Sequence, residues 1–268
     1  MSLRFGLGLR PPFYAAAAAG DVPVDWFELL TENFMGPGGN PLRVLDAVRA
    51  HYPVALHGVS MDLGGTDPLD HAYLEELRRL VRRAEPLWVS DHLCWSRSGG
   101  RYLHDLLPLP HTEEAVEHVA ARIRAVQDLL GRQILVENIS SYARFASTMP
   151  EWEFVAAVTE HADCLILLDV SNVVVTAHNY GLDPSAYLDA LPAGRVRQLH
   201  LAGHSANGPL LIDTHDRPVP EAAWRLYGEA IRRLPEAAVM IERDEAIPPL
   251  AELVAELARA RAIAGEAA

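Results

Sequence analysis

Histidine and carboxylate side chains follow the apolar runs of this sequence at regular intervals. Six successive runs, from the third to the eighth, close on such residues: His57, the pair Asp91-His92, Glu137, Asp169, His200 and Glu242. The connections after the sixth and seventh runs add Asn172, Asp213 and His215. Carboxylates gathered at one place repel one another unless cations neutralise them. Because mixed His, Asp and Glu ligands suit zinc, iron or manganese, the pattern predicts a multinuclear metal centre if the fold brings these residues together.

The elements that must position these residues are eight short apolar runs separated by longer amphipathic stretches. We predict strands near residues 4–9, 26–31, 53–57, 87–92, 133–137, 165–169, 197–201 and 239–242. Several runs are apolar at successive positions, as is typical of parallel strands buried on both faces. Helices are predicted over residues 15–19, 41–51, 69–84, 112–130, 151–161, 184–191, 220–234 and 248–264.

The alternation of strands and helices predicts the fold class. Eight repeats in 268 residues indicate an α/β protein, a single-domain (β/α)8 TIM barrel over residues 1–268, with a doubly wound open sheet as the alternative. In such a barrel, active sites lie at the carboxyl ends of the strands. The six strand-closing residues would then converge at one mouth.

Composition limits the function classes. Lys and Arg number 23 against 36 Asp and Glu, which gives a net charge of −13 and disfavours a nucleic-acid partner. No apolar run is long enough to span a membrane, and the first residues lack the pattern of a signal peptide. Two cysteines, Cys94 and Cys164, are too few for a disulfide scaffold. We therefore expect a cytoplasmic protein without membrane or nucleic-acid partners.

The order of the polar residues resembles the xylose-isomerase-like barrel superfamily, and especially the three-metal pattern of endonuclease IV. The resemblance implies that the first metal is held by His57, His92 and Glu137. It implies a second metal on the bridging Glu137 together with Asp169, His200 and Glu242. A third would be held by Asp213, His215 and the residue three places after Asp169, which is Asn172 where that pattern has histidine.

Local phrases along the whole chain indicate a narrower family. They are Leu-Thr-Glu-Asn-Phe (30–34), Leu-His-Gly-Val-Ser (56–60), Ser-Asp-His-Leu-Cys-Trp (90–95), His-Asp-Leu-Leu-Pro-Leu-Pro (104–110), Val-Glu-Asn-Ile-Ser-Ser-Tyr (136–142), Leu-Asp-Val-Ser-Asn (168–172), His-Leu-Ala-Gly-His (200–204) and Ile-Glu-Arg-Asp-Glu (241–245). In this order they are similar to the domain-of-unknown-function 692 family, which includes the iron enzymes MbnB and TglH.

This resemblance implies a cytoplasmic non-haem enzyme that holds two or three iron ions, uses O₂ and acts on cysteines of a ribosomally made peptide. It also implies a small partner protein of the MbnC/TglI type that presents the peptide. Asp244 lies two residues after Glu242, so we predict it as a catalytic proton acceptor, with a surface carboxylate as the alternative. Arg10, Asn33 and Asn138 also follow strands and are predicted to position substrate or to support ligands.

Three other functions compete with this prediction. A zinc-dependent phosphodiesterase like endonuclease IV would use nearly the same ligands, but Asn172, the negative charge and the absence of an Arg-rich loop at the mouth count against it. A sugar isomerase would want a catalytic base such as a lysine near its metal pair, and no strand ends in lysine. A non-catalytic metal-binding scaffold is the alternative from a different class.

Overall fold

Eight parallel strands form a closed barrel around which the helices pack. The computed structural model describes residues 4–266. The barrel strands are β1 (Phe5–Gly8), β2 (Trp26–Leu30), β3 (Val54–His57), β4 (Val89–His92), β7 (Leu135–Glu137), β8 (Leu165–Asp169), β9 (Val196–Leu201) and β12 (Ala238–Ile241). Their order around the barrel is β1-β12-β9-β8-β7-β4-β3-β2. The predicted (β/α)8 barrel is confirmed, and the open-sheet alternative is wrong.

The connections between barrel strands carry helices that cover the outside of the sheet. These helices are α1 (Tyr14–Ala19), α2 (Asn40–Arg49), α3 (His71–Ala84), α4 (Glu113–Leu130), α5 (Glu151–Ala162), α6 (Val170–Tyr180), α7 (Pro184–Ala190), α8 (Glu221–Arg233) and α9 (Leu250–Glu266). Sequence signals fix their ends, since the Thr112 hydroxyl caps α4 and Gly131 ends that helix at a φ of 67°. Within residues 4–266, the structure contains no helix that is long and apolar enough to cross a membrane.

Three features of the barrel mouth were not predicted. Two antiparallel hairpins project from it: β5 (Trp95–Ser98) with β6 (Arg101–Leu107), and β10 (His204–Asn207) with β11 (Leu210–Asp213). The glycine pair Gly99-Gly100 and the Asn207-Gly208 dipeptide at their turns are hairpin signals that were available in the sequence. The third feature is α6, which begins directly after β8 although its sequence is rich in β-branched residues.

The interior of the barrel is apolar near the amino ends of the strands and polar near their carboxyl ends. Trp26, Ala55, Ala238 and Met240 pack together as a separate buried cluster. Because all eight strands are parallel, their carboxyl ends meet at the opposite edge, where the buried polar residues lie. The fold therefore assembles the predicted ligands at one mouth.

Candidate metal centre

Six buried side chains at the carboxyl ends of five neighbouring barrel strands and directly after β12 form the floor of the mouth. We call them the deep cluster: His57, His92, Glu137, Asp169, His200 and Glu242. Each is less than one-tenth exposed. Strand register places His92 opposite Glu137 and Asp169 opposite His200. The structure thus brings together all six strand-end residues that the sequence singled out.

The first group in the deep cluster is built from two imidazoles and one carboxylate. The Nε2 atoms of His57 and His92 lie 3.2 and 3.3 Å from Glu137 Oε2. The other ring nitrogen of each is engaged elsewhere: His57 Nδ1 is 2.8 Å from Ser90 Oγ, and His92 Nδ1 is 3.2 Å from the Gly58 carbonyl oxygen. Because the Nδ1 atoms are used for these bonds, the Nε2 atom of each ring faces Glu137 and is the one that could bind a metal.

The second group shares Glu137 and adds ligands from β8, β9 and the end of β12. His200 Nδ1 lies 3.2 Å from Glu137 Oε1 and 3.0 Å from Glu242 Oε2. Its Nε2 is 3.1 Å from the buried carboxylate of Glu28, on β2 across the barrel. Such a carboxylate fixes the imidazole tautomer so that Nδ1 is free to bind a metal. Sequence analysis did not assign Glu28 to the site, because its partner His200 is distant along the chain.

The polar atoms of the mouth fit metal ions because many of them have no hydrogen-bond partner. The buried atoms without one include Glu137 Oε2, Asp169 Oδ2, Asn172 Oδ1, His200 Nδ1, Asp213 Oδ1 and His215 Nε2. Buried polar groups are normally paired, so an unpaired set of this size needs an explanation. Each of these atoms can offer a lone pair, and a cation beside Glu137, Asp169 and His200 would satisfy several at once.

Charge at the deep cluster supports the same interpretation. Burial opposes ionisation of Glu137, but the facing imidazoles of His200 and His57 outweigh it and lower its pKa to about 2. Burial and the neighbouring Glu137 raise the pKa of Asp169 well above its usual range. Burial alone would lower the pKa of His92, yet Glu137 raises it to about 9. A bound cation would relieve the repulsion that raises the pKa of Asp169 and would replace the protons of the imidazoles as the counter-charge of Glu137.

Four residues from the connections that follow the strands form a second set, which we call the rim group: Asn172, Asp213, His215 and Asp244. Asn172 lies in the first turn of α6, and Asp213 ends β11. His215 has a φ of 49°, which is a strained conformation for a residue with a side chain and is common at functional sites. The backbone nitrogen of His215 donates to the Gly203 carbonyl oxygen, and a Cβ on Gly203 would lie 2.0 Å from the Arg217 oxygen. Glycine is therefore required where this segment returns to the barrel.

Contacts on both sides hold the rim group. His215 Nε2 is 2.7 Å from Asp213 Oδ1. On the other side of the ring, His215 Nδ1 is 3.1 Å from Asp244 Oδ2. The second carboxylate oxygen of Asp213 accepts a bond from Ser140, and its backbone nitrogen donates to the Tyr142 hydroxyl at 2.7 Å. Neighbouring side chains thus fix Asp213 and His215 of the rim group in place.

The three residues predicted to position substrate or to support ligands differ in their surroundings. Asn33 is exposed on a short 3-10 turn after β2 and does not line the cavity. The Asn138 amide pairs with the backbone of Asp169, donating to its oxygen at 3.0 Å and accepting from its nitrogen at 2.9 Å. The buried Arg10 guanidinium contacts Asp244 and Glu242. The structure brings Arg10 to the site, but as a partner of carboxylates.

Most of the deep cluster and all of the rim group open into one cavity of about 240 Å³. Residues of the two flanking segments also line it, Asp105 and Leu106 from β6 and Ser140 and Tyr142 from the loop after β7. A ligand in this cavity would therefore contact residues of both sets. The arrangement offers candidate metal ligands beside a space that is open to a substrate.

Comparison with known sequences identifies the family. A family profile described as the RiPP precursor modification enzyme MbnB/TglH/ChrH matches residues 4–265. The chain is 57% identical over 259 residues to a UPF0276 protein of Anaeromyxobacter sp. (strain Fw109-5), covering 96% of this chain and 92% of that protein. It is 54% identical over 265 residues to a UPF0276 protein of Caulobacter vibrioides (strain ATCC 19089), with 97% and 95% covered.

Solved structures share the fold at much lower identity. Endonuclease IV from Thermus thermophilus superposes with a TM-score of 0.64 at 19% identity, covering 98% of this chain and 99% of that chain. The IOLI protein, solved with a zinc atom, gives a TM-score of 0.64 at 11% identity, covering 98% and 97%. At these low identities the solved structures show the fold alone, whereas the sequence profile shows the family. The chain belongs to the MbnB/TglH/ChrH family of enzymes that modify the precursors of ribosomally synthesised and post-translationally modified peptides (RiPPs).

Proposed function

We propose that this protein is a multinuclear non-haem iron oxidase that uses O₂ to modify cysteine in a ribosomally made peptide, with the help of a partner protein. Family membership supplies the peptide substrate class. The observation that carries the proposal is the deep cluster, in which unpartnered imidazole and carboxylate atoms converge at the floor of an open cavity. His57, His92 and Glu137 would hold one ion, and Glu137, Asp169, His200 and Glu242 a second.

The donor set suits iron and leaves room for substrate. Iron held by these residues would supply the redox chemistry for O₂ and a positive charge that favours the thiolate form of a cysteine. The protein's own contribution is orientation: Ser90 and Glu28 direct the rings of His57 and His200 toward Glu137. Burial of the deep cluster limits the access of water to the reacting cysteine.

The surface around the mouth suits a peptide and a protein that presents it. The large apolar side chains that are exposed within residues 4–266 all lie in connections that follow strand carboxyl ends: Tyr102, Leu103, Tyr142, Phe145, Leu182 and Leu210. Their exposed fractions range from 37% to 47%. Of these, Tyr142 lines the cavity, and Phe145 and Leu182 line a neighbouring pocket. Exposed apolar residues beside such pockets favour contact with a partner. The net charge of −13 would in addition attract a basic leader peptide or partner.

The test is anaerobic reconstitution with ferrous iron, followed by addition of O₂ and of a cysteine-containing peptide together with a candidate partner protein, each chosen from the coding sequences that neighbour this gene. We expect a change in peptide mass that requires both iron and O₂ and that disappears when the peptide cysteine is changed to serine. His92→Ala should abolish it, because one of the first group's two imidazoles is lost. His71→Ala is the matched control, since His71 is exposed at the start of α3.

Other outcomes would identify a competing function. Cleavage of abasic DNA by the zinc-loaded protein, without any effect on thiol peptides, would establish the phosphodiesterase. A protein that leaves both the peptide and abasic DNA unchanged, whatever metal it is loaded with, would support the non-catalytic scaffold. In either case the iron oxidase proposal would be wrong.

A further inference from the structure

We propose that Arg10 and Asp244 form a positioning pair that fixes His215, so that His215 Nε2 and Asp213 together hold an ion at the rim group. In this assignment Asp244 is neither a metal ligand nor the proton acceptor predicted from the sequence. The inference rests on the proposed metal centre, but it concerns metal binding alone and does not depend on the reaction.

The two nitrogens of His215 have different surroundings. Nδ1 makes a hydrogen bond with Asp244 Oδ2 at 3.1 Å. Nε2 is buried and has no hydrogen-bond partner, although it lies 2.7 Å from Asp213 Oδ1, which is also unpartnered. A neutral imidazole has one donor and one acceptor nitrogen. If Nδ1 donates its hydrogen to Asp244, the Nε2 lone pair faces the free oxygen of Asp213, and a cation between them would satisfy both atoms.

Arg10 explains why Asp244 is held in this orientation. Arg10 is 8% exposed as a residue, and its guanidinium donates to Asp244 Oδ1. The same nitrogen lies 3.5 Å from Glu242 Oε1. Both carboxylates therefore direct one oxygen to Arg10 and the other to an imidazole, since Glu242 Oε2 faces His200 and Asp244 Oδ2 faces His215. With both oxygens engaged, Asp244 is better suited to orient His215 than to accept a proton.

A competing arrangement uses the opposite side of the ring. His215, Glu242 and Asp244 also lie close enough to hold an ion, which would make Asp244 a ligand through its own oxygen. That arrangement would break the bond between Asp244 and His215 Nδ1 and would leave His215 Nε2 and Asp213 Oδ1 without partners. The Asp213 side satisfies the unpartnered atoms and keeps the existing bonds.

The experiment is anaerobic titration of the purified protein with ferrous iron, in the absence of peptide and O₂. We expect Asp213→Ala to lose one ion. Asp244→Ala should keep that ion with its dissociation constant raised about 10- to 100-fold, the usual effect of removing the carboxylate behind a histidine ligand. Asp244→Asn should bind more tightly than Asp244→Ala, because its amide oxygen still accepts from His215. Arg10→Gln should weaken the same ion, and Arg10→Lys should restore part of the affinity.

Glu245→Gln is the control, since Glu245 is an exposed neighbouring carboxylate, and thermal melts check that each variant folds. The ions of the deep cluster serve as internal reference. The proposal is overturned if Asp244→Asn loses the ion while Asp213→Ala retains it, or if Asp244→Ala binds as tightly as the unchanged protein. A protein that binds ions only at the deep cluster would also overturn it, and a two-iron version of the proposed function would then survive.

Discussion

The deep cluster and the rim group carry similar side chains but are held in different ways. Five of the six deep residues lie on barrel strands that are hydrogen-bonded to a neighbour on each side, and the sixth follows such a strand. The rim residues come from a hairpin, a helix start and loops, and the Asp244 side chain is 45% exposed. Strands fix a ligand through the sheet itself, whereas loop ligands depend on added contacts such as those from Arg10 and Tyr142. We therefore expect tighter metal binding at the deep cluster.

The largest effect should come from the residue that joins the two deep groups. One carboxylate oxygen of Glu137 faces His57 and His92, and the other faces His200. Glu137→Gln replaces this carboxylate with a neutral amide. Because both ions would lose a charged ligand, we expect this variant to lose more bound metal than any other single ligand change. Elemental analysis after reconstitution and desalting measures the count. An unchanged count would show that Glu137 does not bridge.

A smaller effect is expected when the support of one deep ligand is removed. Glu28→Gln removes the carboxylate that accepts from His200 Nε2 but preserves its size. We expect the second ion to bind about 10- to 100-fold more weakly, as is usual when such a partner is lost. The first ion, on His57 and His92, should be unaffected and is the internal control. Equal weakening of both ions would indicate a general loss of structure instead.

The comparison can be reversed by giving the rim group a stronger ligand. Asn172→His would place an imidazole where an unpartnered amide oxygen now lines the cavity. Imidazole is the better ligand for iron or zinc, so we expect the rim ion to bind about tenfold more tightly, equivalent to about 1.4 kcal/mol. Metal titration measures the gain. Weaker binding would mean that the rim group depends on the hydrogen bond that the Asn172 amide donates to the Asn138 backbone oxygen.

The smallest effect should come from loosening one rim contact. Tyr142→Phe removes the hydroxyl that accepts from the Asp213 backbone nitrogen and contacts Ser140. Loss of one such bond costs about 1 kcal/mol, so the rim ion should bind roughly fivefold more weakly. Tyr102→Phe is the matched control, because Tyr102 is also exposed at the mouth but bonds the Ser60 carbonyl. Equal effects of the two changes would contradict a specific role for Tyr142.

The barrel and the positions of the deep cluster were predictable from the residue pattern alone. Apolar runs that end in His, Asp or Glu indicate buried parallel strands, and parallel strands necessarily bring those ends to one mouth. This is why all eight barrel strands were predicted and why their polar ends converge. The hairpins were missed although their turns contain Gly-Gly and Asn-Gly. The helix α6 was missed because its β-branched residues favour strands, although the Asp169 side chain caps its first turn.

The hydrogen-bond partners of each side chain, and therefore its role, depend on the folded structure. Glu28 supports His200 from 172 positions away, and Arg10 reaches Asp244 across 234 positions. Nothing in the local sequence distinguishes Nδ1 from Nε2 of a histidine, because the hydrogen bond on one nitrogen sets the role of the other, and its partner comes from another strand. For the same reason Arg10 and Asn138 follow strands as predicted but face carboxylates and backbone. Sequence spacing places a residue at the mouth, and its neighbours in space determine which of its atoms are hydrogen-bonded and which can bind a ligand.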